Sequence, residues 1–289
     1  VTYETKEPKK DETLSANITN ELNTTTLEVE KKWLGEYANT EVRPDSIRFE
    51  IEWKKADDTS WSAIPNTSAF TKKITGVTWE GEGETLASYV DLNSSNLKAE
   101  TASWIKSVAG LPVEDSEGVK YEYRVTEVSI KYGTTTVTIR RDGSKNLIGP
   151  YEIKTDIVQT VNKLTLGQKT TVTAENELVT GDYEVEQIWI DGSNRDDGQK
   201  SVNVQLYRRY DTGDPAKCGG SAKTISSPTR KAEWENLPVY ANNGSLYYYS
   251  VKEEGENAGK ITLNKDVSYG VAYEPAYTEG ASSIDDVTD

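Results

Sequence analysis

The feature that most constrains the fold of this chain is an internal repeat, because four of its segments recur later in the same order. The matched pairs are LEVEKKW (27–33) with YEVEQIW (183–189), VRPDSIRFEI (42–51) with GQKSVNVQLY (198–207), AGLPVED (109–115) with ENLPVYA (235–241), and YEYRVTE (121–127) with YYYSVKE (247–253). Repeats of this kind are the sequence signature of repeated structural units. The 289 residues are therefore predicted to form tandem modules, each with a core of its own.

A further repeated segment marks where the modules end. VTAENEL (172–178) closes the first copy, ANITNEL (16–22) is similar to it, and DVTD (286–289) is a shorter match. From these matches we predict three parts: the C-terminal strand of a preceding module at 1–22, a first complete module at 23–178 and a second at 179–289. The first module is the longer one, and its excess is predicted to be an insertion around 56–108 with a short helix near 94–107.

Each module is predicted to be an all-β antiparallel sandwich. Short stretches of alternating apolar and polar residues are separated by clusters of Gly, Pro, Asn and Asp, which is the pattern of antiparallel strands joined by turns. The aromatic residues are mostly Tyr (17) and Trp (7), with 2 Phe. Tyr, Trp, Val and Thr all favour the half-buried surface of a strand.

Composition excludes several classes of function. The formal net charge is -15, and an acidic chain is repelled by nucleic acids and anionic membranes. No apolar run approaches the length of a membrane span. The sequence contains no His and one cysteine, Cys218, so catalytic triads that use His and an internal disulfide are excluded. DGSNRDDG (191–198) lacks the ligand spacing of an EF-hand. We expect no cofactor, no metal and no turnover of an external substrate.

Side-chain alternation places one polar residue on each of three apolar strand faces. Alternate residues of a strand share a face. The three faces are Lys31 with Leu27, Val29 and Trp33; Glu127 with Tyr121, Tyr123 and Val125; and Asn176 with Val172, Ala174 and Leu178. Burying such groups singly costs on the order of several kcal/mol each. A joint explanation is that the three side chains meet inside the sandwich.

If they meet, their chemistry fits one self-directed reaction. Burial disfavours charge, and a neutral Lys31 amine is a competent nucleophile. A protonated Glu127 can donate a hydrogen bond to the Asn176 carbonyl and pass a proton to the leaving group. The product is a Lys31–Asn176 amide plus ammonia. Alternation alone leaves a second interpretation open, in which Lys31 extends its ammonium to water at the sandwich edge and Glu127 and Asn176 are ordinary edge and hydrogen-bonded residues.

In these segments the chain resembles the collagen-adhesin B-type (CnaB) repeat of Gram-positive surface proteins and pilins. The resemblance is carried by the Lys-x-Trp pattern, RPDSI (43–47), LPV, YEYRVTE and the closing ENE, with counterparts in the second copy. It implies tandem reverse immunoglobulin-like sandwiches. It also implies an intramolecular isopeptide bond between Lys31 and Asn176, with Glu127 as the catalytic acid.

The second module departs from the family pattern at one position. Gln187 stands where the lysine is expected, and an amide cannot act as the amine nucleophile. Glu253 and Asp289 occupy the other two positions, so no bond is expected there. In residues 1–22, Asn20 is the implied acceptor of a bond in the preceding module.

The resemblance implies a stalk or spacer segment of a secreted bacterial adhesin or pilus, attached to the cell wall through regions outside this sequence. Its partners are then the neighbouring modules of the same surface protein or pilus. The alternative is an adhesive module that recognises a host matrix protein or glycan. That alternative depends on Trp79, Tyr89 and Trp104 in the predicted insertion, because aromatic-rich insertions can form ligand surfaces.

Overall fold

The computed structural model describes most of the chain from residue 23 to residue 270. The described ranges are 23–35, 42–64, 74–81, 87–99, 102–162, 164–189, 201–226, 228–255, 260–264 and 267–270. The chain divides into two compact units, 1–177 and 178–289. Within the described ranges nearly all regular structure is β-strand and no α-helix occurs, which confirms the predicted all-β class. No helix in these ranges is long and apolar enough to cross a membrane.

The first unit is built from two sheets. Its strands are β1 (Thr24–Leu34), β2 (Ser46–Lys55), β3 (Ser62–Ala63), β4 (Thr78–Glu80), β5 (Ala87–Asn93), β6 (Leu97–Lys98), β7 (Ser103–Pro112), β8 (Tyr121–Tyr132), β9 (Thr135–Thr138), β10 (Arg140–Asp142), β11 (Lys145–Ile148), β12 (Tyr151–Ile153), β13 (Val158–Val161) and β14 (Lys169–Leu178). The first sheet has the order β10-β11-β12-β14-β1-β7-β6. The second has the order β13-β8-β2-β5-β4, with β3 beside β2 and β9 beside β8.

The first and last strands described in this unit are neighbours. β1 pairs with β7 in antiparallel orientation and with β14 in parallel orientation. A parallel pair needs a long crossover, and here the crossover is the rest of the unit. The fold therefore brings residues from opposite ends of the module side by side in one sheet.

Apolar residues at alternate positions along the strands form the core between the two sheets. Leu27 and Val29 on β1 and Ile47, Phe49 and Ile51 on β2 are at most 1% exposed. Burying each such side chain stabilises the fold by about 1.5–3 kcal/mol. The residues between them lie on the opposite faces of the two sheets, and the face assignment made from the sequence holds on β1.

The second half of the range 56–108, predicted to be an insertion, belongs to the sandwich itself. β5 pairs along β2, and β7 pairs along β1. The predicted helix near 94–107 is wrong: Ser94–Asn96 form one 3-10 turn capped by Asn93, and β6 and β7 follow. Asn and Ser satisfy turn backbone groups with their side chains, while the residues after them extend because they fill the core.

The described residues of the second unit form a smaller set of strands. They are β15 (Thr180–Glu186), β16 (Ser201–Tyr210), β17 (Ala216–Ser226), β18 (Lys231–Pro238), β19 (Tyr247–Glu253), β20 (Lys260–Asn264) and β21 (Val267–Gly270). β15 pairs with β18, β16 lies between β17 and β19, and β20 pairs with β21. Its core includes Val202, Val204, Leu206, Trp234 and Val251.

The repeated segments occupy equivalent places in the two units. β1 pairs with β7 so that Thr24 lies opposite Pro112, and β15 pairs with β18 so that Thr180 lies opposite Pro238. In the first unit the Tyr123 hydroxyl donates to the Pro112 carbonyl at 2.9 Å, and in the second Tyr249 donates to Pro238 at 2.7 Å. The sequence repeat is therefore a repeat of local structure.

Gly76 occupies a backbone position that no other residue can fill without strain. Its φ is +87°, and a Cβ there would overlap the carbonyl oxygen of Ser107 on β7. We expect Gly76→Ala to lower the free energy of unfolding by about 1–3 kcal/mol more than Gly118→Ala. Gly118 has a φ of +86° but open space around it, so it shares the conformational cost and lacks the overlap. Chemical denaturation of both variants measures the difference, and equal losses would contradict the expectation.

Candidate functional site

The three polar residues singled out by alternation are brought together in the first unit. Lys31 lies on β1 and Asn176 on the adjacent β14, where Asn176 is the register partner of Trp33. Glu127 lies on β8 in the facing sheet, opposite Phe49 of β2. Two strands of one sheet and one strand of the other thus converge on a single point between the sheets.

All three side chains are buried. Lys31 and Asn176 are 0% exposed and Glu127 is 2% exposed. This burial is inconsistent with the interpretation in which the Lys31 ammonium reaches water at the sandwich edge. Lys32, the next residue on β1, instead points outward and pairs with Glu175 at 3.2 Å, with about a third of each side chain exposed.

Glu127 contacts both of the other residues. One carboxylate oxygen, Oε2, lies 3.2 Å from Lys31 Nζ, and the other, Oε1, accepts a hydrogen bond from Asn176 Nδ2 at 2.7 Å. The carboxylate therefore bridges two nitrogens, an amine on β1 and a carboxamide on β14. Its backbone is also fixed, since the Glu127 N–H donates to Ile157 O at 3.0 Å.

The orientation of the Asn176 amide differs from the sequence-based prediction. A hydrogen bond from protonated Glu127 to the Asn176 carbonyl was expected, but the amide nitrogen faces Glu127 instead. A carboxylate that accepts from two N–H donors satisfies both of its oxygens. Among the described residues Asn176 Oδ1 has no hydrogen-bond partner.

Burial changes the protonation of Lys31. Loss of hydration lowers the pKa of the Lys31 amine from 10.5 to about 8, although the charge and hydrogen bond of Glu127 act in the opposite direction. Desolvation disfavours the charged ammonium more strongly than one carboxylate restores it. The neutral amine is therefore accessible at a pH much closer to neutrality than for a lysine in water.

A cluster of aromatic rings lies on one side of the amine. The Trp33 ring centroid lies 4.8 Å from Lys31 Nζ. Trp33 in turn packs against Trp104 at 5.5 Å and Tyr151 at 4.6 Å between centroids. The sequence places Trp33 on the same strand face as Lys31, through the Lys-x-Trp spacing, but it does not reveal this cluster with Trp104 and Tyr151.

The structure describes two of the three equivalent positions in the second unit. Gln187 lies just beyond β15, is partly exposed, and donates its backbone N–H to Arg230 O at 2.8 Å. Glu253 is buried at the end of β19. Asp289 and Asn20 lie outside the described residues, as does the acidic segment 191–198. In the ranges that the structure does describe, no cluster of three or more potential metal ligands occurs.

The aromatic surface considered for ligand binding is not formed as predicted. Trp104 is 1% exposed and packs in the core against Trp33, because it lies on the inward face of β7. Trp79 and Tyr89 lie on β4 and β5 of the opposite sheet. The Arg48 guanidinium stacks 4.6 Å from the Tyr89 ring and binds Asp91 at 2.7 Å. Trp104 therefore cannot join the other two in one exposed surface.

The solved structures to which this chain is similar include three bacterial surface proteins. A streptococcal ancillary pilin is 16% identical over 87% of this chain, with a TM-score of 0.28, and this chain spans 60% of it. A single B repeat of the collagen-binding surface protein of Staphylococcus aureus is 16% identical over 82% of this chain and 89% of its own length (TM-score 0.23). The major pilin of Streptococcus pyogenes is 16% identical over 82% and 83% (TM-score 0.35). No curated protein sequence matches significantly.

The family assignment rests on sequence. The sequence model of the Cna protein B-type domain matches residues 81–149 and 183–271, which together are more than half of the chain. One match lies in each unit, in agreement with the internal repeat and with the resemblance stated from the motifs. The chain belongs to the Cna protein B-type domain family.

Proposed function

We propose that this chain is a stalk or spacer segment of a secreted bacterial adhesin or pilus, and that its first module forms a Lys31–Asn176 isopeptide bond without another enzyme. The observation that carries the proposal is the buried carboxylate of Glu127, which lies 3.2 Å from the Lys31 amine and 2.7 Å from the Asn176 amide nitrogen. Membership of the Cna protein B-type family supports the surface-protein role.

The geometry supports a proton transfer through the two oxygens of Glu127. Lys31 Nζ attacks Cγ of Asn176, so that the Nζ–Cγ bond forms and the Cγ–Nδ2 bond breaks. Glu127 Oε2 takes a proton from the attacking nitrogen, and Oε1 delivers a proton to Nδ2, which leaves as ammonia. Atoms and charge balance, and Glu127 ends as it began. The reaction occurs once per chain, since it consumes both partners.

A bond at this position suits a protein under tension. Lys31 and Asn176 lie on the first and last strands of the module, which are parallel neighbours. A pulling force that enters along β1 and leaves along β14 passes through the bond, and the rest of the sandwich carries little load. Because Cys218 is the only cysteine, a disulfide within the chain cannot serve this purpose, and an amide also resists reductants.

The proposed partners and location follow from the same role. Neighbouring modules of the same surface protein or pilus are the expected partners, and the bacterial cell surface is the expected location. Recognition of a host matrix protein or glycan is the less favoured alternative, because Trp104, one of the three residues on which it depends, lies in the core. The stalk role is therefore the function that the geometry favours.

The pH dependence of bond formation tests this proposal. The starting material is unfolded chain, purified in denaturant, in which the Asn176 carboxamide is intact and no bond has formed. This chain is diluted into folding buffer, and its intact mass is followed over time. The attacking amine is reactive only when deprotonated, and its pKa is about 8. The rate should therefore rise about tenfold per pH unit below that value and level off above it.

Two other outcomes would count against the proposal. A wild-type chain that keeps its full mass at every pH would show that no bond forms. A rate that falls as the pH rises through the Lys31 pKa would show that the reactive pair must retain a proton, which contradicts a carboxylate that transfers protons. Chain held in denaturant is the control and should lose no ammonia, because its three residues are then far apart.

A further inference from the structure

Two buried polar atoms next to the proposed bond are without hydrogen-bond partners. They are the indole N–H of Trp33, a donor, and the side-chain carbonyl oxygen of Asn176, an acceptor, and neither is paired with any described residue. A buried polar group that loses its water and gains no partner destabilises the folded state. Such groups are uncommon in folded proteins and require a reason.

The two atoms belong to residues that are direct neighbours across the sheet. Trp33 and Asn176 are register partners on the parallel strands β1 and β14. Both side chains point into the core, as their burial shows. Adjacent strands lie about 4.8 Å apart, so an indole and a carboxamide at paired positions are within reach of one another after a small rotation of the amide or the ring.

The proposed reaction requires a donor that its other residues do not provide. When Lys31 adds to Cγ of Asn176, negative charge develops on Oδ1, and acyl transfer is accelerated by a donor placed against that charge. Glu127 is an acceptor toward both nitrogens. It cannot stabilise the oxyanion while it transfers protons between them.

We propose that the Trp33 indole N–H is the oxyanion donor for isopeptide formation. This inference rests on the proposed function and assigns proton transfer and oxyanion stabilisation to two different residues. Glu127 moves the proton from Nζ to Nδ2, while Trp33 Nε1–H donates a hydrogen bond to Oδ1 as its charge develops and keeps its own proton. When the tetrahedral intermediate collapses, the Cγ–Oδ1 double bond re-forms and ammonia leaves.

Replacing Trp33 tests the inference by refolding kinetics. Trp33→Phe keeps an aromatic ring and removes the N–H, and it should slow ammonia loss by about 10²-fold or more. A second variant carries benzothienylalanine at position 33, which keeps the bicyclic shape and replaces the N–H with sulfur. Because Phe is smaller than Trp and can leave a cavity, this second variant tests the loss of the N–H with the packing of the ring preserved. Trp104→Phe is the matched control, since Trp104 belongs to the same cluster and does not face Asn176 in register.

The pH profile separates this role from packing or from an effect on the lysine. Loss of an oxyanion donor lowers the plateau rate and leaves the midpoint of the profile in place. If both position-33 variants fold and react as fast as wild type, or as fast as Trp104→Phe, the inference is overturned and the proposed function stands. If the wild-type chain itself loses no ammonia, the proposed function and this inference fall together.

Discussion

Glu127→Gln is expected to slow isopeptide formation by about 10²–10⁴-fold, which is the contribution typical of a positioned proton-transfer group. Gln has nearly the same shape as Glu and can occupy the same place between Lys31 and Asn176. Its amide, however, cannot accept a proton from the attacking nitrogen. Folded chain of this variant should therefore keep its full mass for a period in which wild type loses one ammonia.

The same strand provides a matched control for this experiment. Glu122→Gln makes the identical change on β8, at a residue whose carboxylate pairs with Lys54 at 3.0 Å on the partly exposed face. It should lose ammonia at the wild-type rate. If Glu127→Gln also reacts at the wild-type rate, Glu127 does not transfer the proton and the mechanism proposed for this site is incorrect.

Preventing the bond should also produce the largest change in stability. The link closes a loop of about 145 residues in the unfolded chain, and loop-closure entropy assigns such a link about 5 kcal/mol. The variant that isolates this effect is Lys31→Met with Glu127→Gln, because it removes the amine that forms the bond and leaves no charged group at the site. A single buried charge without a partner would be strongly destabilising, and this double variant avoids that cost, so most of the loss belongs to the missing bond.

Calorimetry and chemical denaturation measure this loss. About 5 kcal/mol corresponds to a decrease of about 10–20 °C in the melting temperature for a unit of this size. The control is Lys32→Met with Glu175→Gln, which removes a pair on the same two strands that is about a third exposed. Exposed pairs contribute at most about 1 kcal/mol. Equal losses in the two double variants would contradict a covalent link in the wild-type module.

Much of the fold could be predicted because strands impose a period of two. The alternation in β1 and β8 identified the core faces, and it singled out Lys31 and Glu127 as polar residues on them. The internal repeat located equivalent strands, as the shared bonds from Tyr123 to Pro112 and from Tyr249 to Pro238 show. Both signals are patterns in the amino-acid sequence itself, so they can be recognised without coordinates.

Other features depend on tertiary packing and could not be predicted. The sequence around 94–107 has no apolar alternation strong enough to distinguish a helix from a turn and strand, and Trp104 decides the outcome by filling the core beside Trp33. The Asn176 amide turns its nitrogen toward Glu127 because Glu127 accepts hydrogen bonds from both neighbouring nitrogens, and this arrangement exists only once β8 and β14 are packed together. The unpaired Trp33 N–H likewise becomes visible only when β1 and β14 are placed in register.

Peptide mapping of the folded wild-type chain looks directly for the proposed bond between Lys31 and Asn176. Proteolysis followed by tandem mass spectrometry should yield one branched peptide that contains both residues and is lighter than its two parts by one ammonia. Separate linear peptides with an unmodified Lys31 and an intact Asn176 carboxamide would show that the first module forms no such bond.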